Sequence, residues 1–181
     1  GSTLRFLIPV AAALGINAEF IGHGRLPERP IGVYLDCLPN HGVQCKTEGG
    51  LPLEMSGQLT PGEFVLPGNV SSQFITGLLL ALPLLSGESK LLLSSPLESA
   101  GYVDMTIEIM HGFGVTINTI ENGWRVKGNQ SYQPREYQVE RDWSQAAFFL
   151  AAGALGGELE LAGLNPNSCQ GDRAAEKLFQ A

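Results

Sequence analysis

The chain has 181 residues, 44% of them hydrophobic and 16% charged, so it can bury a sizeable core and is not a disordered polymer. Eleven basic residues against 18 acidic ones give a net charge of -7. That balance excludes a broad phosphate-backbone footprint on nucleic acid, yet leaves room for a small anion gripped by a few local groups.

Residues Thr3 to Leu14 have the pattern of a helix, with Pro9 as an expected kink and Gly15 near its end. Asn17 to Ile21 reads as a short strand, and Glu28-Arg29-Pro30 sets up a helix from Ile31 to His41 with Gly42 as its C-cap. A hairpin is expected from Gln44 to Met55, turning at Glu48-Gly49-Gly50. Ser71 or Ser72 then caps a helix running to Leu85, Ser89 to Ser94 is a strand, and Tyr102 to His111 is a helix with Val103, Ile107 and Met110 on one stripe. Val115 to Thr119 and Trp124 to Lys127 form a hairpin around Glu121-Asn122-Gly123. Tyr137 to Glu140 is a candidate strand, and Asp142-Trp143-Ser144 opens a third long helix.

This order repeats. Thr3, Ser72 and Ser144 start matched helices 69 and 72 residues apart, and Gly42 and Gly114 close matched segments at an offset of 72. A period of that length fits duplicated small α/β units better than a solenoid. The expected fold is therefore α/β (α+β), built from repeated βαβαββ units, with the second unit starting near residue 64. The third copy reaches only Gly171-Asp172-Arg173 and a few helical residues, so the chain is expected to be a piece of a larger protein.

Cys37, Cys45 and Cys169 have no C-x-x-C spacing and read as free thiols of a reducing compartment. The apolar run from Phe74 to Leu85 is too short to span a bilayer, and no signal-peptide pattern opens the chain. Cytoplasm is expected, with no membrane partner. His23, His41 and His111 are scattered without a convergent ligand pattern, so no metal or cofactor is expected.

Gly68-Asn69-Val70-Ser71-Ser72-Gln73 ends a proline-flanked turn and begins a helix. Its free N-H groups and two hydroxyls suit a phosphate or carboxylate, while ordinary N-capping with a tight turn explains the same residues. Arg25 and Arg29 stand beside Pro27 and Pro30 and could grip an anion with their planar guanidiniums; a surface pairing with Glu28 is the plainer reading. Tyr102 alone reads as a packing residue at a helix start, and Asp142 as an N-cap.

These segments carry a resemblance. Gly68 to Phe74, Glu98-Ser99-Ala100-Gly101-Tyr102-Val103-Asp104-Met105-Thr106 and Arg25-Leu26-Pro27-Glu28-Arg29-Pro30-Ile31 resemble, in order, the motifs of the EPSP synthases, the 3-phosphoshikimate 1-carboxyvinyltransferases. Gly1-Ser2-Thr3-Leu4-Arg5 resembles the second half of that family's glycine-rich loop, and Val139-Glu140-Arg141-Asp142-Trp143-Ser144 its return into the second lobe. The family has two lobes, each of three βαβαββ units about a pseudo-threefold axis. The resemblance implies that residues 1–137 are most of the N-terminal lobe, with its first unit incomplete, and that residues 138–181 begin the C-terminal lobe.

The implied activity transfers the enolpyruvyl group of phosphoenolpyruvate to the 5-hydroxyl of shikimate 3-phosphate. Ser71, Ser72, Gln73, Ser99 and Tyr102 match positions that hold shikimate 3-phosphate. Gly1, Arg29 and Gln73 match positions beside phosphoenolpyruvate, and Arg5, Arg25 and Asp142 are further candidates. No proton-transfer residue is expected within the chain, which alone would be an inactive half-site needing the opposing lobe. The UDP-N-acetylglucosamine enolpyruvyl transferases share the architecture, but the serine-serine-glutamine set and Ser99 to Tyr102 favour the shikimate branch. A domain that only binds anions is the other alternative.

Overall fold

The computed structural model describes residues 1–179, which fall into two compact units meeting between Gln133 and Pro134. In the first unit the elements run α1 (Ser2–Ala13), β1 (Ala18–Phe20), α2 (Gly32–Cys37), β2 (Val43–Lys46), β3 (Leu53–Gly57), β4 (Glu63–Leu66), α3 (Ser72–Ala81), β5 (Ser89–Leu93), α4 (Ala100–Gly112), β6 (Ile117–Ile120) and β7 (Gly123–Val126). They make a three-stranded sheet ordered β1-β3-β2 and a four-stranded sheet ordered β4-β5-β7-β6.

The repeat seen in the sequence is a repeat of topology. In both sheets a helix leads to a strand, a second helix follows, and a hairpin returns so that its last strand pairs antiparallel with the first. Even the register recurs: Ala18↔Met55, Glu19↔Glu54 and Phe20↔Leu53 reappear as Ser89↔Val126, Lys90↔Arg125 and Leu91↔Trp124, both partners displaced equally along the chain. β4 lies parallel to β5, joined through α3. Its brevity between Pro61-Gly62 and Pro67-Gly68 hides it in the sequence, yet Phe64 and Leu66 face the core while Glu63 and Val65 face out.

Three expected elements differ in detail. The helix from Ile31 to His41 is α-helical only to Cys37, then tightens into a 3-10 turn over Leu38–His41. Pro39 has no N-H to continue the ladder. The Gly42 cap does form, with φ 85° and its N-H on the carbonyl of Leu38. Pro83 likewise ends α3 at Ala81, the rest being a 3-10 turn. The first hairpin has a wider loop than a turn at Glu48-Gly49-Gly50, because pairing stops at Lys46↔Glu54. The Thr47 hydroxyl stitches that loop by accepting from the N-H groups of Gly49 and Gly50 at 3.2 and 3.1 Å.

The core centres on α3, whose Phe74, Ile75, Leu78 and Leu79 are fully buried, with α1 on one side and α4 on another. Pro9 lies inside α1 without ending it. Lacking an N-H, it cannot serve the carbonyl four residues earlier, that of Arg5. The buried hydroxyl of Tyr34 donates to that carbonyl at 2.7 Å and lies 3.0 Å from the carbonyl of Phe74, so α2 closes the gap between α1 and α3. Burial raises the Tyr34 hydroxyl well above its ordinary pKa, against a smaller opposing pull from Arg5, so it remains a donor. Tyr34→Phe keeps the ring on Phe74 but strands the Arg5 carbonyl. We expect a loss of about 1–3 kcal/mol in urea unfolding; an unchanged midpoint would show that this bond contributes nothing.

The second unit, from Pro134, holds α5 (Trp143–Ala154) and the short α6 (Ala174–Phe179). Asp142 caps α5, and Trp143 is anchored by its indole N-H on the carbonyl of Asn165 at 3.1 Å and its backbone N-H on Gln170 at 2.9 Å. The strand expected at Tyr137 to Glu140 does not form: the segment is irregular, and Val139 is 80% exposed. Strand geometry needs a neighbouring strand to receive its N-H and C=O groups, and this stretch joins no ladder among the described residues.

Candidate functional site

Two loops enter helices side by side in the first unit. One runs from Pro67 to Ser71 into α3, the other from Ser94 to Ser99 into α4. Gly68 donates its N-H to the Ser95 hydroxyl at 3.0 Å and accepts from the N-H of Glu98 at 2.9 Å; Ser95 in turn donates to Asn69 at 2.9 Å. A side chain at Gly68 would collide with the carbonyls of Ser95 and Pro96 at 2.6 and 2.8 Å, so glycine is what lets the loops touch. Deeper in, Thr106 donates to the carbonyl of Tyr102 at 2.9 Å, which leaves it to accept from Thr76 at 2.9 Å and tie α4 to α3.

Beside these loops opens a cleft of about 730 Å³ whose lining includes Ser2 and Phe6 of α1, Ser71, Ser72 and Gln73 of α3, and Ser99 and Tyr102 of α4. The amino ends of three helices thus meet at one cavity. Each brings unpaired N-H groups and the positive end of a helix dipole, a combination that favours an anion despite the chain's net charge of -7.

The serines differ in what they are free to do. Ser71 is the N-cap of α3 and accepts from the N-H of Gln73 at 3.3 Å. Ser72 follows it as the first helical residue. Ser99 occupies the cap position of α4 without using its side chain for capping, and its backbone is left-handed, φ 59° and ψ 43°. For a residue other than glycine that conformation costs about 1–2 kcal/mol, a strain compatible with a hydroxyl aimed for binding.

All five residues expected to hold shikimate 3-phosphate line this cleft; the other candidates do not. Gly1 is the N-cap of α1, exposed and with open space around it. Arg25 and Arg29 are exposed, and neither is ion-paired to Glu28 among the described residues. Arg29 stands close enough to Arg5 for their charges to interact. Asp142 lies in the second unit, where one carboxylate oxygen accepts from the N-H and hydroxyl of Ser144 at 2.8 and 2.6 Å; these bonds, that from the Ser144 side chain foremost, lower its pKa.

Arg5 stands behind the cleft. Its Nη1 donates to Gln73 Oε1 at 2.9 Å and, at 3.4 Å, to Ser71 Oγ; its Nη2 donates to the carbonyl of Pro30 at 3.0 Å. Its guanidinium lies 4.5 Å above the Phe74 ring. Burial, with a smaller contribution from Arg29, draws its pKa below the ordinary value. Among the described residues no group of three His, Cys, Asp or Glu side chains is placed to hold a metal, and no helix is long and apolar enough to cross a membrane.

The model of the EPSP synthase (3-phosphoshikimate 1-carboxyvinyltransferase) family matches residues 1–181. The chain is 49% identical over 175 residues to a 3-phosphoshikimate 1-carboxyvinyltransferase of Clostridium kluyveri, covering 96% of this chain and 41% of that protein. One from Clostridium novyi is 48% identical over 176 residues, with 96% and 40% covered. The solved structure of EPSP synthase from Acinetobacter baumannii superposes with a TM-score of 0.75 at 27% identity, over 92% of this chain and 38% of that one. The chain thus spans about two fifths of the length of these relatives. The family match over residues 1–181, joined to a repeated α/β topology that fits the enolpyruvyl transferase lobe, shows that this chain belongs to the EPSP synthase family.

Proposed function

We propose that the full-length protein containing this chain is a cytoplasmic transferase that moves the enolpyruvyl group of phosphoenolpyruvate onto the 5-hydroxyl of shikimate 3-phosphate, a step toward chorismate and the aromatic amino acids. The observation that supports it best is the cleft where three helix amino ends meet the side chains of Ser71, Ser72, Gln73, Ser99 and Tyr102. In this reading the three serines and the α3 amino end receive the 3-phosphate. Tyr102 flanks the ring, Gln73 reaches toward both substrates, and Arg29 with the Gly1 backbone faces phosphoenolpyruvate. Arg25 and Asp142 remain further candidates. Residues 1–137 are assigned to the N-terminal lobe and those from 138 to the start of the C-terminal lobe.

Protonation of the phosphoenolpyruvate methylene makes the adjacent carbon electrophilic. The 5-hydroxyl oxygen adds to that carbon and gives up its proton, forming a tetrahedral intermediate. Taking a proton back from the methyl group and breaking the carbon-oxygen bond to phosphate then restores the enol ether and releases inorganic phosphate. This chain contributes preorganised donors for polyanions, which stabilise charge without reorganising during the reaction. The proton-transfer groups and the opposing lobe are assigned to the rest of the protein, and closure of the lobes excludes water.

The test is phosphate release by the full-length protein. Saturable release that requires both phosphoenolpyruvate and shikimate 3-phosphate is expected, with none from residues 1–181 alone. Turnover with UDP-N-acetylglucosamine in place of shikimate 3-phosphate, or binding without any turnover, would overturn the reading.

A further inference from the structure

We infer that Arg5 is a positioning residue that sets the polarity of the cleft, holding Ser71 and Gln73 so that both offer the ligand hydrogen-bond donors only. The inference rests on the substrate reading above and extends it to how phosphate is told from hydroxyl.

The amide of Gln73 is chemically two-faced: its oxygen accepts and its nitrogen donates. A guanidinium has donors and no acceptor. With Arg5 Nη1 at 2.9 Å, only the amide oxygen can face it, so the –NH2 becomes the other arm of a side chain that lines the cleft. Ser71 is constrained in the same way. Its oxygen accepts from the Gln73 N-H at 3.3 Å and from Arg5 at 3.4 Å, which engages both lone pairs and leaves its hydrogen to be donated elsewhere. Arg5 is not among the residues that line the cleft, though it bonds two that are. It is fixed from behind by the carbonyl of Pro30 at 3.0 Å and by the Phe74 ring at 4.5 Å. Arg29 is the other charged group that acts on it, and Arg29 is also cationic.

Two side chains that offer only donors are matched by phosphate oxygens, which only accept. A ligand carrying a hydroxyl at the same place offers these donors a single oxygen and finds no acceptor on either side chain for its own hydrogen, and sites built on specific hydrogen bonds reject mismatched analogues strongly. The planar fork is essential to this role, because an ammonium keeps the charge but cannot reach Ser71, Gln73 and Pro30 in the same geometry.

Calorimetry on the full-length protein, with shikimate 3-phosphate and with shikimate as probes, tests the inference. Arg5→Lys should weaken shikimate 3-phosphate binding about tenfold or more, the scale of one misaligned hydrogen bond to a charged group. Shikimate binding should change little, so discrimination between the two falls. In a Ser71→Ala/Gln73→Ala background, where no side chain is left to aim, the same change should cost no more than about twofold, the scatter of independent sites. Wild-type affinity in Arg5→Lys, or an equal loss in both backgrounds, would overturn the inference by showing that charge alone matters or that Arg5 binds directly. A fall in the ligand-free melting midpoint that accounts for the lost affinity would make Arg5 a structural strut and overturn it too. A wild-type protein that binds no shikimate 3-phosphate would instead remove the functional reading, and this inference with it.

Discussion

Replacing Ser71 and Ser72 together by alanine in the full-length protein should weaken shikimate 3-phosphate binding on the order of a hundredfold. Each charge-assisted hydrogen bond removed is worth about 1–3 kcal/mol, and two are removed. The two serines carry different structural duties, which makes the result interpretable. Ser71 caps α3 through the N-H of Gln73, so its loss should also cost about 0.5–2 kcal/mol of stability. Ser72 sits one position later without capping the helix, and Ser72→Ala alone should leave the melting midpoint near its original value. Binding that falls in both single variants while stability falls only in the first separates recognition from capping. Calorimetry that finds unchanged affinity in the double variant would reject this cleft as the phosphate site.

Gly77→Val should destabilise the protein by about 3 kcal/mol, at the upper end of what overpacking usually costs. A Cβ at Gly77 would run into Tyr34 Oη and the Arg5 carbonyl, with the Pro9 ring at 3.1 Å. The first two are hydrogen-bonded to each other, and one is main chain, so neither can step aside cheaply. The side chain must push α1 away from α3. Because α1 carries Arg5, the displacement should also cost substrate affinity in whatever fraction remains folded. Urea unfolding checks the first effect; a midpoint like that of the unmodified protein would mean the helices do not meet as closely as described.

Much of this architecture is legible in the residues. The hydroxyls of Thr3, Ser72 and Ser144 recur in the first turns of matched helices and expose the duplication, although the caps themselves are Gly1, Ser71 and Asp142; Gly42 and Gly114 mark the same left-handed exit in both copies, φ 85° and 84°. Pro39 and Pro83 were visible, yet apolar spacing ran through them and made both helices look longer than they are. Tyr137 to Glu140 alternates like a strand, but alternation specifies a face and does not supply a partner.

At the cleft, Gly68 to Gln73 announces an anion-ready helix start, whereas Ser99 and Tyr102 read as ordinary until their resemblance to a family motif is noticed. The roles of Tyr34 and Arg5 are not local at all. Tyr34 answers the missing N-H of Pro9 from 25 residues away in sequence, and Arg5 orients side chains on a different helix. Such long-range pairings leave no pattern in a single chain; a proline inside a helix, with a buried tyrosine elsewhere, is the faint signal that could have suggested the first.

The meeting of three helix amino ends also determines how the site responds to acidity. Backbone N-H groups, serine hydroxyls and a glutamine amide have no proton to gain or lose near neutrality, and an arginine guanidinium stays protonated throughout that range. Binding of a phosphate monoester there should therefore hold steady as pH falls to about 6, where the ester takes up its second proton and surrenders a charge. The titration curve then belongs to the ligand: the cleft registers the ionisation of what it holds while its own stays constant.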